Sequence, residues 1–399
     1  MASKISIYKR SQGIFLVIFA LFFSLSLNLN ASEPVEHSTS ETHAVISEEH
    51  GEHKAHDPNA PIDISKVAFE HILDSHSWHL WGDGHDALSI PLPVILKTDK
   101  GIVTFLSSEF HHDLTGTVVV EKDGQRFVNY EDGIYYATDM PNENGSFVAI
   151  GADKALTNAA PLDFSITKNV VQLFLTAILI FLIFTSIARS YKKHGITSAP
   201  KGKQSFLEPL IVFVRDDIAK ENIGARSDKY VPYLLTVFFL VLFNNFIGLI
   251  PISANLTGNI AFTLVLSVFT LIITNVGASG SYWKHIFLPK PYFLWFILMP
   301  IELVGVFSKP FALMIRLFAN IAGGHIVVIS LVGLIFIFKS YAIAPVSIAF
   351  TLFIDILECL VALLQAYIFT MLTALFIGSA MEDHSHDSEG AHGEHATGH

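Results

Sequence analysis

Between residues 32 and 167 polar and charged residues interrupt every apolar stretch, but beyond Lys168 the chain runs for long distances without a charge. Val170 to Ala188 is one such run. Tyr230 to Trp283 contains no Asp, Glu, Lys, Arg or His, which leaves room for two membrane spans with "PISANLTGN" as the turn between them. Pro310 to Phe338 and Ala342 to Ala380 supply two more. The segment "PYFLWFILMPIELVGVF" before them reads as a shorter apolar hairpin or interfacial piece. Five crossings follow, in an all-α membrane domain over residues 166–380.

Ser308 is placed to cap a helix with Pro310 in its first turn, and no further stop signal appears before Lys339. A helix of that length spans about 43 Å at 1.5 Å per residue, against a hydrocarbon core of about 30 Å. The helix beginning near Val346 is longer still. Two long helices must therefore tilt or bend, with a neighbouring protein setting the angle.

At about 100° per residue, Ala312, Arg316, Ala319, Asn320 and Gly323 share one face of the first long helix. Small residues there admit a close partner, and a cation among them wants an acceptor on that partner. His325 lies about 180° round from Arg316. On the second long helix Asp355, Glu358, Ala362, Gln365 and Phe369 form one stripe expected to face inward. An ionisable group at the bilayer centre costs about 2.5 to 3.5 kcal/mol on insertion scales, so such groups line wet paths or pair with one another. His325 with Glu358 is the first candidate pair for a proton path. The competing structural reading of Arg316 is a snorkelling residue or a salt bridge to Glu302 or Glu358. Asn320, Gln365, Asn244, Asn245, Asn255 and Asn259 are equally consistent with amides that stitch helices together.

The N-terminal third is organised differently. Lys4, Lys9 and Arg10, the apolar run Gly13 to Leu29 and the small Ala31 read as a signal peptide over residues 1–31. An uncleaved anchor is the alternative, because Leu29 suits a cleavage site poorly. Residues 32–61 are rich in His, Glu, Ser and Ala and offer little to bury, so disorder is expected. Residues 62–165 read as a small exported domain of mixed structure. Within it "VAFEHILDSHSWHLWGDGHD" looks helical, and "TVVVEKDGQRFVNY" holds two β-rich runs about Asp123-Gly124, a type I′ hairpin signal.

Composition supports the division. Of 399 residues 51% are hydrophobic and 15% charged, and the mean hydropathy is +0.48, too apolar for a soluble protein. The net charge of -11 comes from acids that lie mainly in the first 165 residues and the last 20 and says nothing about a basic partner. Of 19 histidines only His194, His285 and His325 lie between residues 113 and 382. The lone Cys359 excludes an intramolecular disulfide. Basic residues crowd the loop after the first span, from Arg189 to Lys229, and are missing from the loop at 251–258, so the first is expected inside and the second outside. The His-rich tail 381–399 then lies in the cytoplasm. The His-rich ends suggest metal binding, but no ligand order at fixed spacing accompanies them.

The stretches "SKPFALMIRLFANIAGGHIV" and "LLQAYIFTMLTALFI" resemble subunit a of the rotary F-type ATP synthase, a resemblance that covers roughly residues 165 to 380. It implies that Arg316 is the essential arginine facing the carboxylate of each c subunit. It also implies that Asn320 and Gln365 are polar neighbours, that His325 and Glu358 belong to the half-channel open to the exported side, that Glu302 belongs to the cytoplasmic outlet, and that Asn259 lies near the inlet. No role carries over to Asp355. The implied partners are the c-subunit ring, the b subunits of the peripheral stalk, the rest of the complex and the lipid of a bacterial inner membrane. Neither a cofactor, a bound metal nor nucleic acid is implied. A polytopic secondary transporter for a metal cation is the alternative, although the spans lack the paired His and Asp spacing such a site needs.

Overall fold

The computed structural model describes residues 74–81, 88–151, 156–194, 202–250, 253–289, 292–338 and 343–382. The signal peptide, the 32–61 segment and the His-rich tail lie outside the described residues.

The N-terminal region is built of short antiparallel strands. β1 (Ser77–Trp81) pairs with β2 (Leu88–Pro91), β3 (Pro93–Thr98) with β4 (Gly101–Leu106), and β5 (Thr115–Lys122), β6 (Gln125–Tyr130) and β7 (Gly133–Tyr136) form a meander. β8 (Leu162–Asp163) adds to the free edge of β3. Residues 77–81 are thus a strand and not part of a helix. The alternation Ser-Trp-His-Leu-Trp suits a pleat, and pairing with β2 satisfies its backbone. The Asp123-Gly124 turn is the expected two-residue loop, both residues at positive φ (50° and 65°). Glu131-Asp132 makes a second such turn with no glycine (φ 50° and 63°). Val94, Leu96, Val103, Phe105 and Phe127 are buried between the two three-stranded sheets, where Phe105 stacks on Phe127 with ring centroids 6.1 Å apart.

The membrane region contains α1 (Lys168–His194), α2 (Lys203–Phe213, running on through a π-helical turn at Val214–Lys220), α3 (Val231–Gly248), α4 (Ile260–Gly277), α5 (Gly280–Phe287), α6 (Trp295–Phe338) and α7 (Ile343–Met381). Five of these, α1, α3, α4, α6 and α7, are long and apolar enough to cross a membrane. α3 is the centre: Leu234, Val237, Phe239 and Val241 are buried, and α3 packs against both α1 and α7.

α6 departs from expectation. No separate hairpin precedes it, and Ser308 does not cap it. The helix is continuous through Pro300 and Pro310, and the Ser308 hydroxyl donates to Gly305 O at 3.1 Å within it. Each proline removes one backbone hydrogen bond, whereas ending the helix in apolar surroundings would expose several unsatisfied groups. At 1.5 Å per residue α6 is about 66 Å long and α7 about 58 Å, twice the hydrocarbon thickness. Lys309 Nζ sits 5.6 Å from the Phe376 ring centroid, and the Ser347 hydroxyl donates to Leu331 O, so the pair is held together near both ends.

Candidate ion-translocation site

The middle of α6 is amphipathic in an inverted sense. Leu313, Leu317 and Ile321, spaced by four, are buried against the protein, while Ala312, Arg316, Ala319 and Asn320 lie exposed on the other side. Arg316 makes no ion pair among the described residues, so neither Glu302 nor Glu358 neutralises it. Its backbone carbonyl is engaged instead: Gln365 Nε2 of α7 donates to Arg316 O at 3.0 Å, with Gln365 only 2% exposed. Gln365 thus fixes the arginine's turn of helix and leaves the guanidinium free to face outward.

On α7, Ala362, Gln365 and Phe369 are buried as expected and Glu358 is half-buried, but Asp355 is exposed. The stripe was drawn at steps of three and four, an average of 3.5, and an α-helix drifts about 20° per heptad from that repeat. Two heptads from Phe369, Asp355 has turned out of the interface.

A cleft of about 210 Å³ opens between α6 and α7 and is closed at one side by the end of α3. Asn320, Gly324, His325, Glu358, Val361 and Leu249 line it. His325 and Glu358, 33 residues apart in sequence, therefore share one recess, and Asn320 lies both on its wall and on the Arg316 face. Arg316 is not a lining residue. Leu249 follows α3, so the cleft lies level with the end of α3 that leads into the 251–258 loop.

One residue of this site was not anticipated. A Cβ added at Gly324 would come within 2.1 Å of Glu358 Oε1, so the glycine is what lets the carboxyl lie against α6. Glu358 Oε1 is buried and has no hydrogen-bond partner among the described residues. Asn245 Nδ2 donates to Ala362 O at 3.0 Å, one turn below Glu358, and binds α3 to α7. The doubled glycine before His325 was the available signal for Gly324, while Asn245 acts as the helix-joining amide its place in an apolar run suggested.

Asn259 and Glu302 are elsewhere. The Asn259 side chain accepts from the amides of Ala261 (2.9 Å) and Phe262 (3.3 Å) and caps α4. Glu302 is half-buried near α5, where burial first and then its charge raise the pKa of the Tyr282 hydroxyl. It precedes Arg316 by 14 residues, about 21 Å along the helix, while His325 follows by nine, about 13 Å. The two acidic regions thus lie on opposite sides of the arginine.

Helices of this length and polarity define a multi-pass membrane protein, and ionisable groups kept at that depth define one that moves an ion. Residues 170–378 match the family described as ATP synthase A chain, and residues 67–164 match a domain of unknown function (DUF8433). The chain is 49% identical over 242 residues to ATP synthase subunit a of Chloroherpeton thalassium, covering 59% of this chain and 72% of the relative. It is 50% identical over 235 residues to ATP synthase subunit a 2 of Chlorobaculum tepidum, covering 57% and 67%. It is 44% identical over 239 residues to ATP synthase subunit a of an Anaeromyxobacter species, covering 57% of each. The chain belongs to the ATP synthase subunit a family, the proton-channel subunits of that complex.

Proposed function

We propose that the protein is the stationary, non-catalytic proton-channel subunit beside a ring of c subunits, and that Arg316 separates two offset half-channels. The observation that carries the reading is the exposed Arg316, without an ion pair among the described residues, set among Ala312, Ala319 and Asn320 on a predominantly apolar membrane helix. Such a face suits close approach of partner helices, each bringing a carboxyl group.

The chemistry follows from the residue types. A carboxyl group surrounded by lipid is held neutral by desolvation, and beside a guanidinium it ionises. Arginine keeps its own proton, so it attracts the carboxylate without relaying a proton and blocks a direct leak. The carboxyl releases its proton towards the Glu302 side and takes another from the cleft of His325 and Glu358, a pair suited to passing protons near neutral pH. Because the two paths are offset, protons cross only as the ring turns. Each charge crossing yields about 2.3 kcal/mol per 100 mV, so several protons are needed per nucleotide.

The inferred setting is a bacterial inner membrane, with the 251–258 loop and residues 62–165 outside. A leader at 1–31 and a cytoplasmic tail at 381–399 complete the assignment, together with contacts to the b subunits of the peripheral stalk. The basic residues of the α1–α2 loop and of α2 support this orientation. Membership of the subunit a family disfavours the metal-cation transporter.

Arg316→Ala tests the reading in the assembled complex. ATP-driven proton pumping is expected to stop while the complex still assembles; pumping at the wild-type rate would overturn it.

A further inference from the structure

Between Asp228 and Glu302 the chain carries no acidic residue, yet Lys284, His285 and Lys290 fall together there beside Trp283 and Trp295. The level of this basic and aromatic stretch in the membrane follows from its neighbours. The 18 residues of α4 rise about 27 Å, close to the hydrocarbon thickness of about 30 Å, so a crossing is complete where α5 begins. The chain leaves α4 through two extended residues, Ala278 (ψ 146°) and Ser279 (ψ 160°), and α5 does not continue it. Ser279 then caps α5, its hydroxyl oxygen accepting from the Tyr282 amide at 3.2 Å, while its own amide donates to Ala380 O at the end of α7. α5 therefore lies where two membrane helices finish.

Rotation about α5 sorts its side chains. Ile286 is 2% exposed and Tyr282, one turn before it, is half-buried, so this face is turned to the protein. Trp283 and Phe287, also one turn apart, lie on the exposed face with stacked rings, 6.0 Å between centroids. Lys284 is exposed beside them and makes no ion pair among the described residues. Glu302 acts on Tyr282, on the half-buried side. The apolar surface continues past α5, where Leu288, Phe293 and Phe296 are 50%, 93% and 82% exposed. Trp295 Nε1 donates to Phe287 O at 2.7 Å and ties α5 to the first residue of α6.

This composition suits the boundary between acyl chains and headgroups. Trp and Phe rings settle there, and a lysine beside them extends its stem over the apolar surface and its ammonium to the phosphates. Water would leave a large aromatic patch uncovered, and the acyl interior would bury an unpaired ammonium. A basic edge without acids favours a headgroup of net negative charge over a zwitterionic one.

We propose that α5 and the entry to α6 form a docking surface for an anionic phospholipid, with Trp283, Phe287 and Phe296 against its acyl chains and Lys284 on its phosphodiester. The bound lipid holds α5 and, through Trp295, the first turn of α6 at a fixed depth. The proposal does not depend on the proton-channel reading.

The test reconstitutes the assembled complex in liposomes of equal phosphatidylglycerol and phosphatidylcholine. A trace of one lipid or the other carries a photoreactive acyl chain, and the labelled peptides are mapped by mass spectrometry. Residues 283–296 are expected to take at least fivefold more label from phosphatidylglycerol than from phosphatidylcholine. One cation near the surface is worth about fivefold, so Lys284→Gln is expected to bring the ratio down to about one and Lys284→Arg to keep it. Lys97→Gln, in the N-terminal strands, should change nothing. Equal labelling by the two lipids in the unaltered complex would overturn the proposal, leaving a surface that meets lipid without selecting it. Absence of label would overturn it too, as the mark of a surface covered by another subunit, and so would a ratio that Lys284→Gln leaves unchanged. If Lys284→Gln fails to assemble, the ratio in the unaltered complex decides.

Discussion

A guanidinium at the bilayer centre is tolerated only where something other than lipid meets it. Arg316 has its carbonyl tied to Gln365 and its side chain outside the helix interface, an arrangement readable from the 100° spacing of its small neighbours because that stretch of helix is regular. The contact between Gly324 and Glu358 was not readable, since it depends on how α6 lies on α7. With Cβ space of only 2.1 Å to the carboxyl oxygen, Gly324→Ala must displace Glu358 or part the helices. Proton transport by Gly324→Ala is expected to fall at least tenfold, to about the level of Glu358→Gln, with the complex assembled; measuring passive proton flow in both variants checks this.

Among the elements, the continuous α6 shows why helix boundaries were the least legible feature. Pro310 after Ser308 is a start signal in water, where freed carbonyls are solvated, but in an apolar setting the cheaper course is to keep the remaining bonds. The turn between α3 and α4 behaved as its composition indicated, and Asn259 gives α4 a side-chain cap. Asn259→Ala is expected to destabilise that first turn by about 0.5 to 2 kcal/mol. Faster amide exchange at Ala261 and Phe262, with proton transport much less affected than in Gly324→Ala, is the expected outcome.

At the scale of the whole molecule, the N-terminal β-rich region is seated on α1 by a buried cluster. His76 Nε2 meets Asp163 Oδ2 at 2.7 Å, the Ser75 hydroxyl donates to Asp132, and the Lys168 amide donates to Ser75 O. Burial alone would lower the His76 pKa, but the hydrogen bond and charge of Asp163, with Asp132 and Asp74, raise it overall. Burial likewise opposes ionisation of Asp163, yet the His76 contact brings its pKa down. A raised histidine stabilises the fold fully below its unfolded value of about 6.5 and loses that contribution as pH rises through the folded value; the lowered carboxyl loses its own as pH falls from about 3.9 through its folded value. Protection of the β3 and β8 amides from exchange is therefore expected to decline as pH rises above about 6.5. His76→Gln should abolish that decline. Truncating one partner of a pair this buried costs about 3 to 5 kcal/mol, so His76→Ala is expected to loosen the domain at every pH.

The local pattern of this chain determined the number of crossings, the Asp123-Gly124 hairpin and the face on which Arg316 stands, because each depends on repeats within one element. Tertiary structure alone decided that His325 and Glu358 share a cleft, that Asp355 turns away, and that Gly324 must lack a side chain. These are relations between segments far apart in sequence, and their geometry is set by how helices of fixed period rotate and slide against one another in packing.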